Sequence, residues 1–389
     1  MPRVSCPRCH KTETIQKSGI VRNKQRFYCK DCNYNFTLSH ERSKTKIKIK
    51  NTTSAQATLL DIAKAMGISI STVSRALNNH PDISEKTKKA VTKLATEWSY
   101  QPNVLAQSLV TRSTHTIGVI IPNLETTFFS SMLSGIQHVA SQAGYRVVIC
   151  QSDESHPTEV ANVQALMNNM IDGLLLCHSL NTKTYEHIKV QLKRGIPIVQ
   201  FYRVTTEVDT TRVYCEDEKG AFLITEHLIK QGCKKIALLL GPPHVIISEK
   251  RLKGYLKALK KYKIDYDADL IGHVDFNKSA VERTIDHWLE VTPKIDAIFS
   301  ISDKSAVQII QHLKRKKIKV PEEICVAGFG NEYTGEIIEP TLTTYDVKTN
   351  HIGKTAAQAL LNKIINNQLK NEDLYITGNL IKRESTKRN

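Results

Sequence analysis

From Ile117 onward, short apolar runs alternate with amphipathic stretches, and the alternation occurs as two successive series. The first series runs "TIGVIIP", "YRVVIC", "DGLLLC" and "IPIVQF", separated by "FFSSMLSGIQHVASQAG", "TEVANVQALMNNM" and "YEHIKVQLKRG". The second begins at "VYCED" and continues through "KIALLLG", "DAIFSIS" and "ICVAGF", with "GAFLITEHLIKQGC", "RLKGYLKALKKY" and "AVQIIQHLKRK" between. Continuous apolar runs of this length suit strands covered on both faces, and the intervening segments have helical spacing. The pattern predicts an α/β domain over residues 117–389, built as two lobes of doubly wound parallel sheet. Such sheets bind ligands beyond their strand C-termini, which here means a cleft between the lobes. No GxGxxG follows the first strand, and Walker A, GxSxG and HExxH patterns are absent from the sequence. The expected role is therefore binding, not catalysis.

The length of 389 residues leaves room for further domains ahead of this one. Residues 1–116 carry 20 Lys/Arg against 7 Asp/Glu, while residues 117–389 carry 35 against 31. The positive charge is concentrated at the front, and that distribution suits a polyanion partner, most commonly nucleic acid, as well as it suits a solvated basic surface. The start, "MPRVSCPRCHK", does not read as a secretory signal, and the apolar runs are too short to span a bilayer. A cytoplasmic, membrane-free protein is expected.

In that compartment paired cysteines suggest metal ligation. Cys6/Cys9 and Cys29/Cys32 form two CxxC pairs nineteen residues apart. Four thiolates suit one structural Zn²⁺ per chain, with rubredoxin-like iron as the alternative. The ion would replace a core that residues 1–37 are too few to build. His10 reads as a surface residue, and Cys150, Cys177, Cys215, Cys233 and Cys325 read as small buried hydrophobes. Between the pairs, Arg22, Lys24 and Arg26 alternate as one face of a strand would, a face suited to phosphates. Residues 38–57, "LSHERSKTKIKIKNTTSAQA", read as a basic flexible linker.

Residues 58–102 read as a helix–turn–helix domain. Thr58 can cap a helix over 59–66, Gly67 supplies a turn, and Ser69 can cap a second helix through Leu77. Leu60, Ala63, Ile68, Val73 and Leu77 are expected to face inward. A third helix over 84–98 would turn Val91, Leu94 and Ala95 in, and Lys86, Lys88, Lys89 and Lys93 out. Two short helices around a Gly turn would place the start of the second in a major groove, and periodicity alone suits a generic three-helix bundle equally well.

Two resemblances sharpen these readings. The stretch "SGIVRNKQRFYCKDC" with its following "F-T" resembles the zinc ribbon of InsA-like transposase proteins, over residues 4–37, and implies DNA binding by that ribbon. "DIAKAMGISISTVSRALN", "YQPNVLAQSL" and "TIGVIIP" strongly resemble the lactose/galactose-repressor (LacI/GalR) family of transcription regulators, from residue 57 to the C-terminus. That resemblance implies a homodimer on a pseudo-palindromic double-stranded operator, with repression as the expected outcome. It implies that Ile70 and Ser71 read bases, that Thr72, Ser74 and Arg75 touch bases or backbone, and that Asn103 contacts DNA. Residues 103–116 would include a hinge helix whose Leu109 wedges into the minor groove.

For residues 117–389 the resemblance implies an effector-binding and dimerisation domain like the periplasmic sugar-binding proteins, with lobe crossovers near 216, 343 and 370. It nominates Phe128, Phe129, Arg203, Arg251, Phe276, Asp303 and Asn331 as contacts for a small polar effector, a sugar or sugar derivative. Gly330 of "GFGNEY" stands where many sugar-binding members carry an acid. The ligand class therefore stays open between neutral sugars and phosphorylated or acidic ones. A transposition-associated DNA-binding protein and a sugar-binding module without DNA are the rival readings.

Overall fold

The computed structural model describes residues 4–21, 24–37, 57–101, 113–275, 277–291, 295–367 and 370–388. The chain divides into two compact units, 1–101 and 102–389. Arg22, Asn103, Leu109 and Phe276 fall outside the described residues, as does nearly all of the 38–57 segment. No helix among the described residues is long and apolar enough to cross a membrane.

Within the first unit, β1 (Ile15–Val21), β2 (Lys24–Cys29) and β3 (Tyr34–Thr37) form a three-stranded antiparallel sheet in that order. Val21 pairs with Lys24, so the chain reverses between them. Of Arg22, Lys24 and Arg26, expected along one strand face, β2 carries Lys24 and Arg26, and Arg22 lies outside the described residues. The sheet has a core of Cys6, Cys29 and Phe36, with Phe27 packed against it.

Three helices follow: α1 (Leu59–Met66), α2 (Ile70–Leu77) and α3 (Glu85–Glu97). Thr58 caps α1 in a capping box with Asp61, and Ser69 and Ser84 cap the next two. Side-chain oxygens there satisfy N–H groups that a helix start leaves open. Gly67 ends α1 at φ +66°, a left-handed conformation that glycine adopts without a Cβ clash. Ile62, Ala63, Val73, Ala76, Val91 and Ala95 form the buried core. Ile62, not Leu60, fills the α1 side of that core, and Leu60 is 46% exposed. Lys88 is also less outward than expected, because it folds back onto Glu85 at 2.9 Å.

In the second unit, β4 (Thr116–Ile121), β5 (Arg146–Gln151), β6 (Gly173–Leu176), β7 (Ile198–Phe201) and β8 (Thr211–Cys215) belong to one lobe. They alternate with α4 (Thr127–Gln142), α5 (His156–Asn168) and α6 (Glu186–Lys193). The other lobe holds β9 (Ile236–Leu240), β10 (Ile271–His273), β11 (Ala297–Ser300), β12 (Cys325–Phe329) and β13 (Thr343–Asp346). Its helices are α7 (Asp217–Lys230), α8 (Ile246–Lys261), α9 (Lys278–Val291), α10 (Asp303–Arg315) and the short α11 (Thr334–Ile337). Then α12 (Thr349–Ile365) returns to the first lobe, where β14 (Asp373–Ile376) pairs with β8, while β15 (Asn379–Ile381) pairs with β13.

The strand orders are β14-β8-β7-β6-β4-β5 and β10-β9-β11-β12-β13-β15. The first sheet is parallel throughout, as expected; the second is parallel except at its β15 edge, which is antiparallel. The central strands are buried along their length, which is why they read as unbroken apolar runs. Of the five single cysteines, Cys150 is the half-exposed exception, because its strand β5 lies at a sheet edge. The chain crosses between lobes at Glu216, at 347–348 and at 377–378. The last two crossings fall beyond the expected 343 and 370, because β13 and β14 still belong to the lobes they leave. Gly378 marks the third crossing, where a methyl group would run into the Asp346 carbonyl and the Tyr345 ring.

Candidate nucleic-acid interface and ligand cleft

The inner side of α2 is fixed by Val73 and Ala76, which are buried in the three-helix core. At 100° per residue this turns Ile70, Ser71, Ser74 and Arg75 away from that core. Ile70 is 46% exposed at the start of α2. Ser71 and Arg75 are exposed, and Thr72 and Ser74 are half-buried. Arg75 has no carboxylate partner among the described residues. The Ser69 hydroxyl accepts from the Thr72 N–H at 3.1 Å and lies 2.7 Å from the Ser71 hydroxyl, which locks the first turn. An apolar tip, hydroxyls and a free guanidinium on one face can meet thymine methyls, base edges and phosphates. Lys86, Lys89 and Lys93 stay exposed along α3. In the three-stranded sheet of the first unit, Arg26 is half-buried on β2.

All four CxxC thiols converge. Their sulfurs lie within 4.8 Å of one another, with Cys6 to Cys32 at 3.5 Å and Cys9 to Cys29 at 3.6 Å. A tetrahedral site with Zn–S bonds of about 2.3 Å requires sulfurs about 3.8 Å apart, so the donor set fits such an ion closely. N–H groups of Cys32 and Asp31 point at the Cys29 thiol and hold it down to about 6. Asp31 is itself fixed by the Thr14 hydroxyl at 2.8 Å and by Lys11 at 3.2 Å.

In the second unit a cavity of about 340 Å³ opens between the lobes. Its lining comes from segments just beyond strand C-termini on both sides. After β4 lie Phe128 and Phe129, after β5 Asp153 and Glu154, and after β7 Tyr202 and Arg203. Across the cleft, Arg251 lies on α8, Asp275 follows β10, Lys304 follows β11, and Phe329 and Glu332 end and follow β12. The volume lies in the range of small-molecule sites. Phe128 packs 4.7 Å from Tyr202 and 5.4 Å from Phe129, forming an aromatic wall. Phe329 faces it from the other lobe, with the Arg251 guanidinium 3.6 Å above its ring.

The cations of the cavity already face carboxylates. Arg203 meets Glu154 at 2.8 Å, Lys304 meets Glu125 at 2.7 Å, and Arg251 Nε donates to Asp217 at 2.8 Å. Arg251 is 1% exposed, and Asp217 offsets the burial that would otherwise strip its charge. Two guanidinium groups keep a spare donor. Arg203 Nε is buried without a hydrogen-bond partner, and Arg251 Nη2, although 2.7 Å from Asp217 Oδ1, is misaligned for a bond to it. Buried unsatisfied donors are rare, and both belong to side chains that line the cavity, although the two nitrogens themselves are sealed from solvent. Asp153, Asp275 and Glu332 add acceptors. Burial, reinforced by the neighbouring Asp303 charge, pushes the Glu332 carboxyl up to about 7, and the Tyr202 hydroxyl is pushed up to about 12 by burial. Lys304–Glu125 and the His244 contact with the Leu180 carbonyl, at 2.6 Å, join the two lobes across the opening.

Of the residues nominated from sequence, Phe128, Phe129, Arg203 and Arg251 line the cavity. Asp303 and Asn331 do not. Asp303 is fully buried, where it accepts from Thr344 Oγ1 at 2.7 Å and the Glu332 N–H at 2.8 Å, and burial raises it to about 6. It braces the loop after β12 against β13. Asn331 accepts from Arg383 at 2.9 Å, facing away from the ligand space. Sequence reasoning missed Tyr202, Glu154 and Glu332. Glu332 stands two residues beyond Gly330, so the same loop supplies a carboxyl from a different position.

The chain matches the family model of bacterial regulatory proteins of the lacI family over residues 58–103. It matches that of periplasmic binding proteins and the sugar binding domain of the LacI family over residues 114–384. It is 31% identical over 331 residues to the ribose operon repressor of Halalkalibacterium halodurans, covering 85% of this chain and 97% of that protein. It is 30% identical over 330 residues to the NTD biosynthesis operon regulator NtdR of Bacillus subtilis, covering 85% and 99%. Among solved structures, a transcriptional regulator CelR–cellobiose complex aligns with TM-score 0.65 at 26% identity, over 85% of this chain and 99% of that one.

Proposed function

Because the chain belongs to the LacI family of bacterial regulatory proteins, we propose that it represses transcription from a pseudo-palindromic operator, under control of a neutral, polyhydroxylated effector held in the interlobe cleft. One observation carries this reading: a helix–turn–helix with an exposed reading face shares the chain with a cleft lined beyond strand C-termini by aromatics, guanidinium groups and carboxylates. α2 enters the major groove, Ile70 and Ser71 read base edges, and Arg75 with Thr72 and Ser74 fixes register on the backbone. Asn103 and the Leu109 wedge extend the contact.

The cleft chemistry favours a neutral sugar or nucleoside over a phosphorylated one. Each cavity cation already faces a carboxylate, and Asp153, Asp275 and Glu332 leave the lining acidic. Hydroxyl groups can donate to those acids and accept from the guanidinium groups of Arg203 and Arg251, while an apolar sugar face covers Phe128 or Phe329. Relatives named for ribose and cellobiose support this class. Ligand contacts with both lobes change the balance between open and closed forms, and that balance sets how two copies present their helices to DNA. A homodimer is supported by edge strand β5, where Val148 and Ile149 are 40% and 43% exposed. The Cys6, Cys9, Cys29 and Cys32 set holds one Zn²⁺, which fixes the ribbon as an added DNA contact through Arg22, Lys24 and Arg26.

Selection of bound sequences from random DNA by the full chain tests the reading. Enrichment of one palindrome, with calorimetric binding of ribose, cellobiose or a nucleoside but not of their phosphates, is expected. Enrichment of no sequence, or tight binding of the phosphates alone, would refute it.

A further inference from the structure

Behind the cleft wall of the first lobe lies a second cluster of ligating side chains. His156 and Glu159, three residues apart, share one face of α5, and His187 sits on α6. One nitrogen from each imidazole and one Glu159 oxygen lie within 4.8 Å of one another. Glu159 is fully buried. Its Oε2 is held by the Ser179 N–H at 2.7 Å and by the Ser179 and Thr182 hydroxyls, each at 2.9 Å. Its Oε1 faces His187 Nε2 at 3.0 Å and His178 Nδ1 at 3.2 Å.

His156 supplies an independent sign of a ligand. Its Nε2 lies 3.2 Å from the Thr184 hydroxyl, whereas Nδ1 is sealed from solvent without a hydrogen-bond partner. An imidazole bonded at one nitrogen, with the other left open, is the usual state of a metal-bound histidine. Glu159 Oε1 and His187 Nε2 are 3.0 Å apart, a hydrogen-bond distance, and would separate by a few tenths of an ångström to reach the tetrahedral edge of about 3.3–3.6 Å set by bonds of about 2.0–2.2 Å. A groove lined by His156, His187, Thr184, Glu186, Val160 and Gln164 gives access from solvent.

We infer that His156, Glu159 and His187 form a divalent transition-metal site, with zinc as its best-suited occupant, separate from the cysteine cluster. Two imidazoles and a carboxylate leave one coordination position open toward the groove. The ion ties the start of α5 to α6 and to the loop carrying Ser179 and Thr182. Leu180 in that loop lines the effector cavity, and its N–H donates to Glu154 at 2.7 Å. The site therefore braces the ligand wall from behind.

The test uses the full chain in four forms: wild type, Cys29→Ser, and Cys29→Ser combined with His187→Asn or with His156→Asn. Each is stripped with chelator, checked for an unchanged circular-dichroism spectrum, and titrated with Zn²⁺ against a chromophoric competitor. Cys29→Ser should retain one zinc per chain, and either added histidine change should weaken it at least tenfold. Cobalt(II) bound to the Cys29→Ser form should show d–d bands without thiolate charge transfer, and should lose them in both double variants. Equal zinc uptake by Cys29→Ser and the double variants, or uptake by none of the three, would overturn the assignment.

Discussion

Replacing Glu332 with glutamine separates the charge of this buried group from its shape. Its carboxyl is raised from the ordinary 4.5 to about 7, by burial first and by the nearby Asp303 second. The folded chain therefore keeps a proton that the unfolded chain has already released between pH ~4.5 and ~7. With more protons bound when folded, stability falls as pH rises through that window and levels off above it. At about 1.36 kcal/mol per pH unit, the cost on the alkaline side reaches about 3 kcal/mol. Glu332→Gln keeps the size and the bond to the Thr126 hydroxyl but cannot ionise. Scanning calorimetry of the full chain should show the variant more stable than wild type by up to about 3 kcal/mol at pH 8, with the gap reduced to about 1 kcal/mol at pH 5. Asp303, raised to about 6, contributes a slope of the same sign in both proteins, so the variant flattens the pH profile without abolishing it. A stability difference that is the same at pH 5 and pH 8 would refute this argument.

Other substitutions probe the remaining parts. Arg251→Ala should abolish effector binding and destabilise the two-lobed unit by about 3–5 kcal/mol, since it strands Asp217 as a buried unpaired charge; calorimetry reads both effects. Ser71→Ala or Ile70→Ala should change which operator bases are preferred, whereas Lys24→Ala with Arg26→Ala should weaken all sequences alike and reduce the salt slope of binding. Leu109→Ala should lose operator bending and most of the specific affinity, which circular-permutation gel shifts detect. Cys29→Ser should remove the ribbon's metal while leaving the melting of the two-lobed unit unchanged.

The parts most readable from sequence were those fixed by local chemistry. Thr58, Gly67, Ser69 and Ser84 announce helix ends by their own hydrogen bonding and backbone freedom, and the structure places all three helices within a residue of the expected bounds. The parallel strands were readable because burial on both faces leaves no alternation. Leu60 was misread because α1 has only two turns and begins with two leucines, and the period that buries Ile62 and Ala63 carries Leu60 away. The cleft was readable in position but only partly in membership. Phe128, Phe129, Arg203 and Arg251 were reached through the resemblance to the repressor family, and Arg251 lies within α8, where no strand end marks it. Tyr202 and Glu332 depend on how two separate lobes face each other, information that no local pattern contains. Asp303 and Asn331 have suitable chemistry but spend it on Thr344, the Glu332 backbone and Arg383.

Filling the cleft is expected to change operator affinity. That expectation is tested most directly by fluorescence anisotropy of a selected operator with the full chain, with and without a neutral sugar or nucleoside that calorimetry shows to occupy the cleft. The account predicts a change in operator affinity of about 5- to 150-fold, and no change in Arg251→Ala protein. An operator affinity that stays the same while the cleft is saturated would contradict it.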